Sequence, residues 1–148
     1  MPPSAEREME PNLTPDTAGV GLAVAAESLY LANLLLLPGI AFAVLVYLNV
    51  RASPDTPKLA TEHLHQTVNA SLWAGALLVI VNAMIVLLGG YTGAHTWVLV
   101  IIYFTVCHST LVLLGVIGLA KAMAGQCWRY PLVGRPLPRG CSRSTADA

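Results

Sequence analysis

Residues 63–120 read HLHQTVNASLWAGALLVIVNAMIVLLGGYTGAHTWVLVIIYFTVCHSTLVLLGVIGLA, 58 positions without one Asp, Glu, Lys or Arg. A water-facing surface needs charge. A hydrocarbon core penalises each central charge by about 2.5–3.5 kcal/mol on insertion scales. The stretch therefore belongs in a bilayer. As a single helix it would be a rod of about 87 Å. Gly89-Gly90-Tyr91-Thr92-Gly93 is the strong breaker within it, so it divides into two helices over about 69–88 and 97–123.

A second charge-free run, residues 28–50, predicts a first helix over about 29–50. Twenty-odd residues at 1.5 Å each match a hydrocarbon core of roughly 30 Å. Pro38-Gly39 near its middle predicts a kink, because Pro removes a backbone hydrogen bond and clashes with the preceding turn. The turn signal Arg51-Ala-Ser-Pro-Asp-Thr-Pro ends this helix, and Pro57 suits the start of the next one near Lys58. Residues 58–69 mix apolar and polar positions and read as an amphipathic interfacial segment. The expected fold is an all-α integral membrane protein: three transmembrane helices, with that interfacial segment before the second.

Composition agrees. Hydrophobic residues make up 55% of the 148 and charged ones 11%, against about 25% charged in average soluble proteins. The formal net charge of zero hides a segregation of sign. Glu6, Glu8, Glu10, Asp16 and Glu27 precede the first apolar run, whereas Lys121, Arg129, Arg135, Arg139 and Arg143 follow the last. Residues 1–27, with four prolines, read as a mobile acidic tail and 133–148 as a basic, mobile one, around a transmembrane domain at 28–132. The start lacks the basic region and apolar core of a cleaved signal peptide. With three spans, the loop after the first helix and the C-terminus share a side holding Arg51, Lys58, Lys121 and four C-terminal Arg. The other side holds Arg7. The positive-inside rule then puts the N-terminus and the glycine-rich hairpin outside a bacterial inner membrane, and the C-terminus in the cytoplasm.

Six polar residues are candidates for an interhelical or interfacial network: Glu62, His63, His65, Asn69, Asn82 and His108. Glu62, His65 and Asn69 fall on one helical face, which is either a hydrogen-bonding stripe or a solvated surface. His108 lies near mid-membrane, where an ionisable group is a functional hypothesis. It is either a proton relay in an oligomeric channel or a neutral imidazole bonded across a helix interface, with Asn82 as a partner. Haem ligation is disfavoured, since His65 and His108 would stand some 15 Å apart along the membrane normal. No cofactor, metal or catalytic residue is expected. Cys107, Cys127 and Cys141 have no metal-type spacing, and a cytoplasmic basic side predicts reduced thiols. Trp128, Arg129 and Tyr130 suit headgroup anchoring. The small-residue pairs Gly39/Ala43, Ser71/Gly75 and Gly118/Ala122 permit close helix approach. Nucleotide-loop, hydrolase-elbow and nucleic-acid motifs are absent.

Two segments carry a resemblance. Glu62-His63-Leu64-His65-Gln66-Thr67-Val68-Asn69 leads into the second helix. Lys121-Ala122-Met123-Ala124-Gly125-Gln126-Cys127-Trp128-Arg129-Tyr130-Pro131-Leu132 closes the third. The layout resembles bacterial membrane proteins similar to the chloroplast inner-envelope protein-import (Tic) channel subunit. His63 and Asn69 match the first motif of that family, and Lys121, Gly125, Tyr130 and Pro131 match the second. The resemblance implies a multi-pass membrane protein linked to transport or protein translocation. Taken together, the sequence predicts a non-enzymatic component that works by association in the lipid bilayer, as a homo-oligomer or with a larger membrane partner.

Overall fold

The computed structural model describes residues 19–131 and 133–136. Among them every regular element is helical. The elements are α1 (Val20–Leu35), α2 (Ile40–Arg51), α3 (Lys58–Gly75), a π-helical segment (Ala76–Val81), α4 (Asn82–Gly89) and α5 (Ala94–Met123).

α3, the π segment and α4 run on without a break. They form one helical unit, Lys58–Gly89, of 32 residues, or about 48 Å. α5, of 30 residues, is the other helix long and apolar enough to cross a membrane. Very little of either apolar stretch is buried within the chain. A soluble core helix would bury its apolar faces; here Val79, Ile80, Leu87, Leu88, Leu99 and Ile101 are all exposed. The 58–69 segment expected at the interface is the first three turns of a continuous helix that is long and apolar enough to cross a membrane.

The expected first span is not formed. Helix α1 begins at Val20, well inside the stretch read as a tail, and stops at Leu35. Helix α2 starts again at Ile40. At about 24 and 18 Å, each falls short of a 30 Å hydrocarbon core. What the sequence suggests as a kink is a full turn. Pro38 cannot donate a backbone hydrogen bond, and Gly39 adopts φ +86, a conformation that favours glycine. The Asn33 side chain closes the turn by accepting from the Gly39 N–H at 2.9 Å.

The two short helices form a hairpin. Ala26, Leu45 and Leu64 share one buried cluster, with Leu22, Leu48 and Ala52 packed around it. Ala26 and Leu45 lie on either side of a four-residue turn and still meet, so α2 folds back along α1. Contacts fix how this hairpin sits on the long helices. Gly19 lies against Pro57 and Ala60, and Tyr30 clusters with Ala70, so α1 runs parallel to α3. Gly118 faces Glu27 and Gly115 faces Tyr30, so α1 is antiparallel to α5. Gly19, Arg51, Lys58 and Met123 therefore gather at one end of the molecule. The turn between α4 and α5 closes the other end: Thr96 donates to the Gly89 carbonyl at 2.7 Å and Trp97 Nε1 to that of Tyr91 at 2.8 Å.

Helix α5 ends at the glycine the sequence marks. Gly125 has φ +66. The Gln126 N–H bonds back to the Lys121 carbonyl and the Gly125 N–H to that of Ala122, which is a Schellman arrangement. It turns the following residues, 126–131 and 133–136, across the face of α3.

Candidate functional site

The buried polar residues of the gathered end form one cluster. Glu27 and His63 have no exposure and Tyr130 has 1%. Glu27 Oε1 lies 2.6 Å from His63 Nδ1, and the Tyr130 hydroxyl donates to Glu27 Oε2 at 2.5 Å. His63 Nε2 lies 3.0 Å from the Gln126 carbonyl, which accepts only, so Nε2 carries a proton. Nδ1 then either donates to a carboxylate as imidazolium or accepts from a carboxylic acid. In both states the pair has no net charge, and that is what makes its burial tolerable.

Each member is placed by small neighbours. Ala23 and Ala26 flank Glu27 on the buried face of α1. Gly118 of α5 sits directly over the carboxylate: an added Cβ there would lie 2.6 Å from Glu27 Oε2 and 3.0 Å from the Tyr130 hydroxyl. Gly115 likewise makes room for the Tyr30 ring, which packs edge-on against Tyr130 at 5.4 Å. Burial, reinforced by the Glu27 charge, raises the Tyr130 phenol far above its ordinary range, so it remains a donor.

The same face of α3 holds the C-terminal segment as a strap. Gln66 pairs with both backbone groups of Arg135, donating from Nε2 at 2.8 Å and accepting at 3.1 Å. Asn69 Nδ2 donates to the Val133 carbonyl. His63, Gln66 and Asn69 thus lie three residues apart along one face and bind backbone carbonyls of one segment.

The candidates from sequence are distributed differently. His63 and Asn69 belong to this site. Glu62 and His65 lie outside this site, and among the described residues neither side chain joins a hydrogen bond. Asn82 Nδ2 donates within its own helix, to the Leu78 carbonyl at 2.7 Å, and does not meet His108. His108 stacks on Phe104, with ring centroids 5.2 Å apart, and its Nδ1 is buried without a partner. Tyr130, expected as a headgroup anchor, is a core residue instead. Arg129 is exposed and bonds to the Gly134 carbonyl at 3.2 Å, while Trp128 packs beside the buried tyrosines. Cys127 is disulfide-bonded, against the expectation of reduced thiols.

Sequence reasoning missed Glu27, because its charge assigned it to the acidic tail, and Gln66. The available signal was Ala23, Ala26 and Tyr30 at i−4, i−1 and i+3 of Glu27, the small-and-aromatic pattern of a buried helix face.

The arrangement is closed. Both His63 ring nitrogens and both Glu27 oxygens are engaged. It fastens α1, α3, α5 and the strap together.

Comparison with known families corrects the resemblance drawn from the motifs. The matching family model is that of the MamF/MmsF magnetosome magnetite crystal formation proteins, over residues 20–137. The match runs from the first residue of α1 through the strap, and so encloses the whole Glu27–His63–Tyr130 cluster. The import-channel assignment is not supported. No curated protein and no solved structure matches the chain.

Proposed function

The chain belongs to the magnetosome magnetite crystal formation protein family, and from that premise we propose that it is a non-enzymatic membrane component that supports crystal growth by association. The observation that carries this reading is the contrast between its two ends. At one end a closed polar cluster fixes a helical hairpin and a strap. Beyond it, the π segment, α4 and most of α5 present apolar side chains outward, without a core of their own. Such faces suit lipid and other transmembrane helices. The partner is a second copy of the chain or a larger membrane protein.

In this reading only two helices cross, and the α1–α2 hairpin enters and leaves on one side. Arg51, Lys58, Lys121, Arg129 and Arg135 all sit at that end, as does the disulfide-bonded Cys127. Gly19 and Pro136 then lie on the same side of the membrane, where three spans would separate them. The opposite face shows little more than residues 90–93, with no carboxylate among them. A role through assembly within the membrane therefore fits better than one through an acidic mineral-facing surface.

The test is genetic. Removing the gene from a magnetite-forming host is expected to alter crystal size or shape in electron micrographs. Re-expression of the wild-type chain should restore it, and Glu27→Ala should not. Crystals unchanged by the deletion would contradict the proposal.

A further inference from the structure

A cleft of about 580 Å³ lies between the tip of the α1–α2 hairpin, the α3–π junction and α5. It is distinct from the buried cluster, and its size falls in the range of small-ligand sites, roughly 300–1,000 Å³. Pro38, Phe42, Leu78, Val79 and Phe104 contribute to an apolar lining. Asn33, Ser71 and His108 are the polar residues along it. The Asn33 side chain is engaged by the Gly39 N–H. Ser71, only 4% exposed, has a buried Oγ with no partner, and the buried His108 Nδ1 has none either. An unsatisfied buried polar atom costs about 1–3 kcal/mol, so a turn of the Ser71 hydroxyl toward a ligand oxygen in the cleft would recover a bond that the chain itself does not supply.

The surroundings decide what supplies it. Leu72, Val79 and Ile80 line the cleft and are also among the exposed apolar side chains of the spanning helix. In a bilayer these face hydrocarbon, so the molecules that reach the cleft come from the lipid phase. The floor is shaped to leave room: Gly75 lines it, and a Cβ there would meet nothing within 4 Å. The adjoining π turn is a distortion frequent at functional sites.

We propose that this cleft binds one lipid of the surrounding bilayer. Its acyl chain lies along Gly75, Leu78 and Phe104, and a carbonyl oxygen accepts from the Ser71 hydroxyl. The inference rests on the membrane reading above. Vesicle flotation of the purified protein is therefore the first step, and a chain that fails to float fails that reading.

The probe is a phosphatidylethanolamine with a diazirine in one acyl chain, reconstituted with the full chain in phosphatidylethanolamine vesicles and irradiated. Adducts are expected to concentrate on residues 71–80 and 104–108. Gly75→Leu, whose Cβ enters open space on the cleft floor and which favours the helix, should lower them at least five-fold. Ser71→Ala should lower them by a smaller factor. Labelling in floated protein that is spread evenly over Leu87, Leu113 and other exposed positions, and that Gly75→Leu leaves unchanged, would overturn the proposal.

Discussion

At the residue scale, the decisive group is Glu27, a carboxylate with no exposure that is kept neutral overall by His63 and held by Tyr130. The geometry leaves Gly118, beside that carboxylate, no room for a Cβ. Gly118→Ala drives a methyl into the carboxylate and should lower stability by about 1–3 kcal/mol. Gly75→Ala, placed in open space on the same kind of helix, should raise it by up to about 1 kcal/mol. Thermal unfolding in detergent compares the two. Tyr130→Phe removes one donor to a charged or acidic partner and should cost about 1–3 kcal/mol. It should also change the alkaline limb of the stability curve. The unfolded phenol loses its proton near pH 10, whereas the folded one holds it to higher pH. Above about pH 10 the unfolded state therefore binds fewer protons, and stability falls as pH rises. The variant should show a shallower alkaline decline than the wild type. This site was half legible in the sequence. His63 and Asn69 stood out as polar residues entering an apolar run, and Tyr130 through its aromatic, proline-flanked setting. Glu27 did not, because a charge at the edge of an apolar run reads as its boundary until its partners, 36 and 103 residues away, are known.

At the element scale, two features organise the fold: the hairpin turn at Pro38-Gly39 and the strap. The sequence marked the turn, since proline and left-handed glycine together break a helix. It could not distinguish a kink from a reversal. That choice depends on Ala26, Leu45 and Leu64 finding one another, which is a matter of tertiary packing. The ends of the long helices were more legible because glycines 90 and 125 carry local chemistry. For the strap, Gln66 supplies both hydrogen bonds to Arg135. Gln66→Ala should loosen it by about 1–3 kcal/mol. Trypsin should then cut after the exposed Arg129 several-fold faster than in the wild type, while cleavage within the long helices stays absent. Equal cutting rates would show that the strap does not depend on Gln66.

At the scale of the whole molecule, the charge pattern and the packing converge. Segregation of sign is visible in the sequence, and the charge-free runs predict three spans because 23 residues without a charge are long enough to cross once. The fold instead turns the chain back at Pro38-Gly39: it gathers the α1 start, the α2 end, the α3 start and the α5 end at one face, with the polar cluster beneath them. Topology therefore tests the account most directly. Single cysteines at Gly21, in the turn at Thr92 and at the exposed Pro136, in a Cys107→Ala, Cys127→Ser, Cys141→Ser background, can be challenged with a membrane-impermeant maleimide in sealed inverted and right-side-out vesicles. The account predicts that positions 21 and 136 label from the same side and position 92 from the other. Labelling of positions 21 and 136 from opposite sides would restore three spans and contradict the hairpin.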